Sequence, residues 1–359
     1  MAFGTPSGTN TFIPNSAASQ SLIVGYSRNP GTFRISQYAQ YIKAKQRLGL
    51  YYVWRSKQGA RILTTNDAEH IWVDGDAAPT GVNNLEGWET KQFMTTRRCY
   101  AYLMGKQAVD QADFGLLASQ AGVSAMQAMT ARTMLVQTAL TNAVWGDNTA
   151  KVNDGILASG QTWATGNDGS GSNQGPNIKR SLQYGAKIVH QKTLGSVQPN
   201  QLSLVVNPNT AQLMAASTEI QDYIKQSPFA MAQLRQDVPA QNGQWGLPNT
   251  LYGHNVVVED AVRVSTNKNA ATDTISYILP DGVAYLIARE GELEGFAESR
   301  SFSTIQIFFY QDELTVRTMY DSINERYLGQ VISDYAPLVV STASGFRFTD
   351  VGLPPDPEA

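Results

Sequence analysis

The sequence is poor in the residues that carry most metal and nucleophilic chemistry. Its 359 residues include one cysteine, Cys99, and three histidines, His70, His190 and His254. A single cysteine excludes an intramolecular disulfide framework, which fits a chain made in a reducing compartment. No histidine lies near Cys99 in sequence, and no pair of histidines has metal-ligand spacing. We therefore predict no metal site and no cofactor.

Charged residues and long apolar runs are also scarce. Asp, Glu, Lys and Arg make up 16% of the chain, against about 25% in an average soluble domain. Two explanations of this low content of charged residues stay open. One is chance. The other is that much of the surface faces neighbouring subunits, because interface cores are depleted in Lys, Glu and Asp. No apolar run approaches the ~18–20 residues that cross a bilayer, and residues 22–24 have no basic segment before them. We predict neither a membrane span nor a secretory signal.

Motifs of nucleotide-binding and hydrolytic enzymes are absent from the sequence as well. It has no P-loop, no G-x-G-x-x-G between a strand and a helix, and no G-x-S-x-G elbow. Cys99 follows Arg97 and Arg98, but a lone cysteine among aromatic residues is more simply a packed side chain than a reactive thiol. A cluster of glutamates lacks a nucleophile or base and is better explained as a solvated or partner-facing strand edge: Glu290, Glu292, Glu294 and Glu298. We predict that the chain is not an enzyme.

Acidic and basic residues are separated into two adjacent blocks. Residues 1–66 contain no acid, and residues 67–90 contain no Lys or Arg. The basic block consists of Arg28, Arg34, Lys43, Lys45, Arg47, Arg55, Lys57 and Arg61. The acidic block consists of Asp67, Glu69, Asp74, Asp76, Glu86 and Glu89. Such an asymmetry predicts a contact between the two blocks, within one chain or between chains.

The first hundred residues are predicted to form a polar arm followed by a long hairpin. Residues 1–30 are rich in Gly, Ser, Thr, Asn and Pro, which is typical of a loop or of an arm ordered by a neighbour. Residues 50–63 and 90–103 have strand character, and residues 67–90 between them are rich in turn formers. A two-stranded hairpin is marginal alone in water, so it must contact something else.

A long helix is the strongest element signal, and it is expected over about residues 112–145. Its apolar positions recur at spacings of three, four or seven, and they are Val123, Met126, Met129, Val136, Leu140 and Val144. At 1.5 Å per residue this helix would be about 50 Å long. A second helix is expected at about 177–193, a short strand at Leu202–Val206, and mostly strands after residue 251. The fold class is therefore α+β.

This order of parts resembles the HK97-like fold of tailed-phage major capsid proteins. Residues 204–213 (LVVNPNTAQL) are similar to the strand-then-helix entry into that family's A-domain. Residues 247–260 (LPNTLYGHNVVVED) are similar to its L-x-G-x-P-V-V-x-x-D segment, with Asn255 where proline is common. Residues 302–320 are similar to its long P-domain strands. The resemblance covers about residues 1–345, and it depends on the order of these degenerate motifs.

The resemblance implies a division of the chain into four parts. Residues 1–50 would be the N-terminal arm, and residues 51–100 the extended E-loop hairpin. Residues 101–195 and 290–325 would be the P-domain, with its long spine helix and antiparallel sheet. Residues 196–289 and 326–359 would be the A-domain.

The resemblance also implies a function and a set of partners. Copies of the chain would form the hexamers and pentamers of an icosahedral or prolate shell that encloses double-stranded DNA. The shell would belong to a virion, and the chain would be made in the host cytoplasm. Further expected partners are a portal protein and a decoration or cement protein. A separate scaffold protein is expected because no charged helical segment precedes the arm. DNA contact is expected to be weak and non-specific, because the net charge is −3.

Two alternatives stay open at the level of sequence. An encapsulin-type nanocompartment shell has the same fold, but it would bind a cargo peptide instead of enclosing DNA. A soluble α+β enzyme is the alternative of a different class, and the missing catalytic constellation argues against it.

The charge blocks suggest where one copy contacts the next. We expect the turn-rich acidic tip of the hairpin to reach the basic segment of an adjacent copy and to bury its tryptophans there. The contact residues would be Arg28, Arg34, Lys43, Lys45, Arg47, Asp74, Asp76, Glu86, Glu89, Trp72 and Trp88. The competing expectation is that the two blocks pair within one subunit.

Overall fold

A computed structural model describes most of the chain, and every structural statement below concerns the residues that it describes. These are residues 33–54, 74, 88–112, 115–157, 161–163, 176–235, 242–267, 272–289, 303–310 and 312–352. The α-helices are α1 (Ile35–Tyr38), α2 (Lys106–Asp110), α3 (Leu116–Asn142), α4 (Asn177–Lys192), α5 (Pro208–Ala216), α6 (Thr218–Gln226) and α7 (Pro228–Leu234). The first strands are β1 (Gln40–Ala44), β2 (Leu48–Trp54), β3 (Trp88–Met94), β4 (Thr96–Gly105), β5 (Thr149–Lys151), β6 (Leu202–Val206), β7 (Thr250–Leu251) and β8 (His254–Val258). The later strands are β9 (Val262–Val264), β10 (Ile275–Tyr277), β11 (Val283–Ala288), β12 (Ile305–Tyr310), β13 (Thr315–Asp321), β14 (Arg326–Val339) and β15 (Gly345–Thr349).

A five-stranded sheet is built around the long strand β14. β12 and β13 pair antiparallel with successive parts of β14, and β4 pairs antiparallel with Arg326–Tyr335 of the same strand. β12 and β13 therefore lie end to end along one edge of β14, and β4 lies along the other edge. β1 completes the sheet as a parallel neighbour of β12.

Helix α3 packs against β14 and β4 on one face of this sheet. It has 27 residues, which corresponds to about 40 Å. Val136 and Leu140 are fully buried, and Met126 and Met129 pack against the same core. Ser124, Arg132, Thr133 and Gln137 are buried on the helix as well, so its inner face is partly polar.

The helix differs from its prediction at both ends and at two positions of the predicted apolar face. It begins at Leu116 and ends at Asn142, because Ala143 adopts an extended conformation. Val144 therefore lies beyond the helix and is 86% exposed. Val123 is exposed too. These two valines are therefore not part of a buried apolar face, whereas Val136 and Leu140 are buried as their spacing predicts.

A second, six-stranded sheet has the order β5-β15-β11-β6-β8-β7. β6 pairs parallel with β8, and β5 parallel with β15, while the other neighbours are antiparallel. Along β11, Leu286 points into the core shared with α4, and Tyr285 and Ile287 point into the core shared with α3. Because alternate residues face opposite sides of a strand, β11 is apolar at every position.

The hairpin of β2 and β3 is attached to the five-stranded sheet by aromatic side chains. Its register runs from Leu48 opposite Met94 to Trp54 opposite Trp88. The Phe93 ring stacks on Phe308 with centroids 4.4 Å apart. The sequence predicted continuous strand character over residues 90–103. Instead the strand breaks at the buried Thr95, and residues 96–105 join the five-stranded sheet as β4.

Candidate contact surfaces

Several of the predicted contact residues lie outside the described residues. These are Arg28, Trp72, Asp76 and Glu86. Asp74 is described and exposed, while only the backbone of Trp88 and Glu89 is described, within β3. The contact of the acidic tip with a neighbour therefore stays a prediction.

Three of the four predicted basic residues that are described lie at or beside the connection between β1 and β2, namely Lys43, Lys45 and Arg47. Arg34 is the N-cap residue of α1, and Lys45 is exposed just after β1. The Lys43 Nζ lies 3.9 Å from the Asp312 carboxylate, and the Arg47 Nε lies 2.9 Å from that of Asp334. The exposed Lys43–Asp312 pair contributes only about 0–1 kcal/mol, whereas the Asp334 side chain of the second pair is buried. Part of the basic block is thus paired within its own chain. Its partners, Asp312 and Asp334, lie more than 200 residues after the acidic block in the sequence.

Strand pairing brings two further arginines beside Arg47. Arg97 on β4 lies opposite Asp334 on β14, and Arg317 lies on the neighbouring strand β13. The three arginines and two acids line one small depression, which we call the arginine pocket: Arg47, Arg97, Arg317, Asp312 and Asp334, with Tyr310, Thr315 and Ile332. Neither Arg97 nor Arg317 was predicted to be a contact residue, because Arg97 lies 50 residues after Arg47 and Arg317 lies 220 residues after Arg97.

The arginine pocket lies on the face of the five-stranded sheet that α3 does not cover. Arg132 of α3 donates a 3.0 Å hydrogen bond to Ser333 Oγ, so Ser333 faces the helix. Asp334, the next residue along β14, therefore faces the opposite side. Cross-strand partners share a face, which defines the open face of the sheet. Its residues are Arg97, Cys99, Ala101 and Leu103 on β4, Leu328, Gln330, Ile332 and Asp334 on β14, and Thr315, Arg317 and Met319 on β13.

The open face is more exposed than a typical sheet face. Cys99 is an exposed free thiol, so the prediction that it packs in the interior was wrong. The reason is strand alternation, which buries Tyr102 toward α3 and leaves Cys99 on the other side. Leu103 and Met319 are about half exposed, at 53% and 49%.

A second exposed apolar surface lies on the hairpin of β2 and β3. Leu48, Leu50 and Met94 share one side, because Leu48 lies opposite Met94 and Leu50 is two residues further on. All three are more than half exposed, at 60%, 54% and 67%. Phe93, on the other side, is buried against Phe308. Of the two sides of the hairpin, the side of Phe93 is therefore packed against the five-stranded sheet, and the side of Leu48, Leu50 and Met94 is exposed.

A buried polar network connects α1 and α3 with the end of β8. The Tyr38 hydroxyl donates a 2.9 Å hydrogen bond to the Glu259 carboxylate and accepts one of 3.2 Å from the Gln137 amide. The Ala261 N–H donates a 3.1 Å hydrogen bond to the same carboxylate. Burial, reinforced by the charge of Glu259, raises the pKa of Tyr38 well above its usual value. The tyrosine therefore remains a donor, and it fixes α1 against α3 and the end of β8.

The described residues offer little for small-molecule or metal chemistry. They contain no group of three His, Cys, Asp or Glu side chains that could hold a metal ion. A depression between α3 and the segment around Arg263 has a volume of about 150 Å³, and the arginine pocket one of about 20 Å³. Ligand sites usually have volumes of about 300–1,000 Å³. Among the helices that the structure describes, none is long and apolar enough for a transmembrane helix.

Comparisons with known proteins give a clear result only at the level of structure. No family model matches the chain, and no curated protein matches its sequence. A phage-related protein from Bordetella bronchiseptica RB50 is similar with a TM-score of 0.57 and 12% identity, over 90% of this chain and 94% of that one. A structure from Mycobacterium phage Bobi is similar with a TM-score of 0.51 and 10% identity, over 94% and 95% of the two chains.

A chain of the mature capsid of bacteriophage PhiM1 is similar as well. Its TM-score is 0.50 at 11% identity, and the match covers 93% of this chain and 91% of that one. Likeness at such low identity establishes the fold. The predicted α+β, HK97-like fold is therefore confirmed.

Proposed function

We propose that the chain is the major capsid protein of a tailed bacteriophage. Copies of it would form hexamers and pentamers of an icosahedral or prolate shell that encloses double-stranded DNA. The observation that carries this proposal is the shared fold with the PhiM1 mature capsid over more than nine-tenths of both chains. The proposal assigns the chain a structural role in the virion and no enzymatic activity.

Exposed apolar side chains support a role in self-assembly. Large apolar side chains are at least half exposed on separate parts of the described surface: Leu48, Leu50, Met94, Leu103, Val144, Phe229, Val264, Ile275, Val316 and Ile323. Two groups among them are contiguous, because Leu48 and Leu50 lie beside Met94, and Val264 lies opposite Ile275. Contiguous exposed apolar patches usually mark protein–protein contacts. A chain tiled into a shell would cover them with its neighbours.

The two sheets suggest a division into domains that differs from the sequence-based one, which assigned residues 326–359 to the A-domain alone. We assign α3 and the five-stranded sheet to the P-domain and the six-stranded sheet to the A-domain. β2 and β3 would be the described part of the E-loop, and residues 1–32 would form most of the arm. β14 lies in the five-stranded sheet and β15 in the six-stranded one. The segment after residue 325 would therefore serve both domains.

The proposed partners follow from the proposed role. A scaffold protein would guide assembly, a portal protein would occupy one vertex, and a decoration or cement protein would bind the outside. The packaged DNA would touch the shell weakly and without sequence preference. Synthesis would take place in the host cytoplasm.

Electron microscopy of particles formed by the full chain tests this proposal. We expect closed shells, and from infected cells we expect shells with a portal vertex or tail and packaged DNA. Closed shells that hold protein cargo, without a portal or DNA, would identify an encapsulin instead. A chain that stays monomeric at high concentration would contradict any shell function.

A further inference from the structure

The arginine pocket carries more positive charge than the described residues of its own chain neutralise. Arg97 and Arg317 are exposed, and neither has an ion-pair partner among the described residues. Arg47 pairs with Asp334, whose side chain is only 8% exposed. Asp312 is 76% exposed, and its nearest cation is Lys43 at 3.9 Å. Two guanidinium groups are thus free to bind an anion beside a fixed Arg47–Asp334 pair.

We propose that the arginine pocket binds carboxylate side chains from the acidic segment, residues 67–89, of a second copy of the chain. The inference rests on the proposed function, and it names both sides of one contact between subunits. The receiving surface differs from the sequence-based expectation, because it is a sheet face that includes Arg97 and Arg317. Of the predicted basic contact residues, Arg47 lines the pocket.

Charge complementarity is the first reason for this choice of occupant. The acidic segment contains six carboxylates and no Lys or Arg. A guanidinium group presents paired N–H donors that match the two oxygens of a carboxylate. Three arginines converge on the pocket from the β1–β2 connection, β4 and β13. The pocket is too small for a bulky ligand, but it opens onto a surface along which an extended acidic segment can lie.

The position of the acidic segment in the chain is the reason for choosing a second copy. Arg47 immediately precedes β2, and β2 extends for seven residues, Leu48–Trp54. At about 3.3 Å per residue, β2 carries the chain roughly 20 Å from Arg47 before the segment that follows. β3 returns from the same distance, because Trp88 pairs with Trp54. Trp54 and Trp88, which border the acidic segment, are therefore about 20 Å from the pocket of their own subunit. This separation favours the pocket of a neighbouring subunit as the binding site.

Charge reversal on each side, alone and in mixtures, tests the proposal. The pocket variant is Arg97→Glu with Arg317→Glu, and the segment variant is Asp74→Lys with Asp76→Lys and Glu86→Lys. A third chain combines all five changes.

The control variant is Arg180→Glu with Lys187→Glu, which reverses two exposed cations on α4. Circular dichroism and thermal unfolding establish that each chain folds. Sedimentation velocity and electron microscopy then measure the assembled fraction under conditions in which the wild type forms particles.

We expect each single-sided variant to lower the assembled fraction at least tenfold, while the control variant matches the wild type. Mixing the pocket variant with the segment variant should restore assembly, because each chain then meets a neighbour of opposite charge. The combined chain should also assemble. Raising the salt concentration should weaken wild-type assembly more than that of a variant with Arg97→Ala and Arg317→Ala.

Three results would overturn the inference while leaving the proposed shell function intact. Normal assembly of both single-sided variants would mean that the pocket is not a contact. Recovery by the combined chain but not by the mixture would mean that the segment binds its own subunit. A pocket variant that assembles normally but loses binding to duplex DNA would mean that the arginines bind phosphate. Failure of the wild type to form any particle would instead contradict the proposed function itself.

Discussion

Leu140 is the residue on α3 that contributes most clearly to the core. Its side chain is fully buried, and it packs in the cluster that α3 forms with both sheets. Leu140→Ala should lower the free energy of unfolding by about 2–5 kcal/mol, because it removes apolar contacts and leaves a cavity. Denaturant unfolding of the purified subunit measures this change.

Val144, four residues further along the chain, is the matched control for that substitution. It is 86% exposed, so Val144→Ala should change the free energy of unfolding by no more than about 0.5 kcal/mol. An equal loss for both substitutions would contradict the described end of α3.

His254 should make the stability of the subunit depend on pH. It is 3% exposed at the start of β8, and burial lowers its pKa below the usual 6.5. The unfolded chain therefore binds more protons than the folded chain once the pH falls below about 6.5. The stability contributed by neutral His254 is complete above that pH and is lost as the pH falls from 6.5 toward the lower folded-state pKa.

Unfolding experiments at several pH values, repeated with His254→Gln, isolate this contribution. The free energy of unfolding of the wild type should fall more steeply below pH 6.5 than that of the variant. His190→Gln is the control, because His190 is only partly buried in the last turn of α4. Parallel curves for the wild type and His254→Gln would disprove the prediction.

Residue-level burial was predictable where a pattern is strong and local. The spacing of Val136 and Leu140 predicted their burial correctly, because both lie well inside α3. The predicted burial of Val144 was wrong, because the spacing of apolar residues does not show that the backbone becomes extended at Ala143. Arg132 and Gln137 could not be assigned to the core, because their partners Glu313 and Tyr38 are 181 and 99 residues away.

The hairpin of β2 and β3 depends on few contacts with the rest of the subunit. Phe93→Ala removes the ring stacked on Phe308 and should destabilise the attachment by about 3–5 kcal/mol. Hydrogen–deuterium exchange should then become faster in residues 48–54 and 88–94, while amides of β14 keep their protection. Met94→Ala, on the exposed side, is the control and should leave the exchange nearly unchanged. Uniform acceleration across all elements would mean that the hairpin and the sheet unfold together.

Element types were easier to predict than element pairing. The apolar run of β11 and the helical period of α3 identify both elements within the sequence. By contrast, a sequence pattern cannot tell that β4 leaves the hairpin and joins β14. That choice depends on Tyr102, which packs closely over Gly329, a position where any side chain would collide with the ring. The arginine pocket was unpredictable for the same reason, because pairing alone brings Arg97 and Arg317 together.

At the scale of the whole molecule, net charge limits how the chain interacts with nucleic acid. The chain carries a net charge of −3, so only local groups such as the arginine pocket attract phosphate. Isolated subunits should bind duplex DNA no more tightly than a typical non-specific complex, at about 10⁻⁴–10⁻⁶ M near physiological salt. Fluorescence anisotropy with two duplexes of unrelated sequence measures this. Nanomolar binding, or a preference for one duplex, would contradict the prediction.

The late position of β14 has a consequence for translation. β4 and β14 pair although Thr96 and Tyr335 are 239 residues apart. At about 5–20 residues per second, the ribosome needs roughly 12–48 s to synthesise the chain between them. Until then a nascent chain lacks the central strand of one sheet and exposes apolar surface to chaperones. A chain that terminates before residue 317 lacks both Arg317 and Asp334, so it cannot present the arginine pocket. Truncated products would be excluded from growing assemblies without a dedicated proofreading factor.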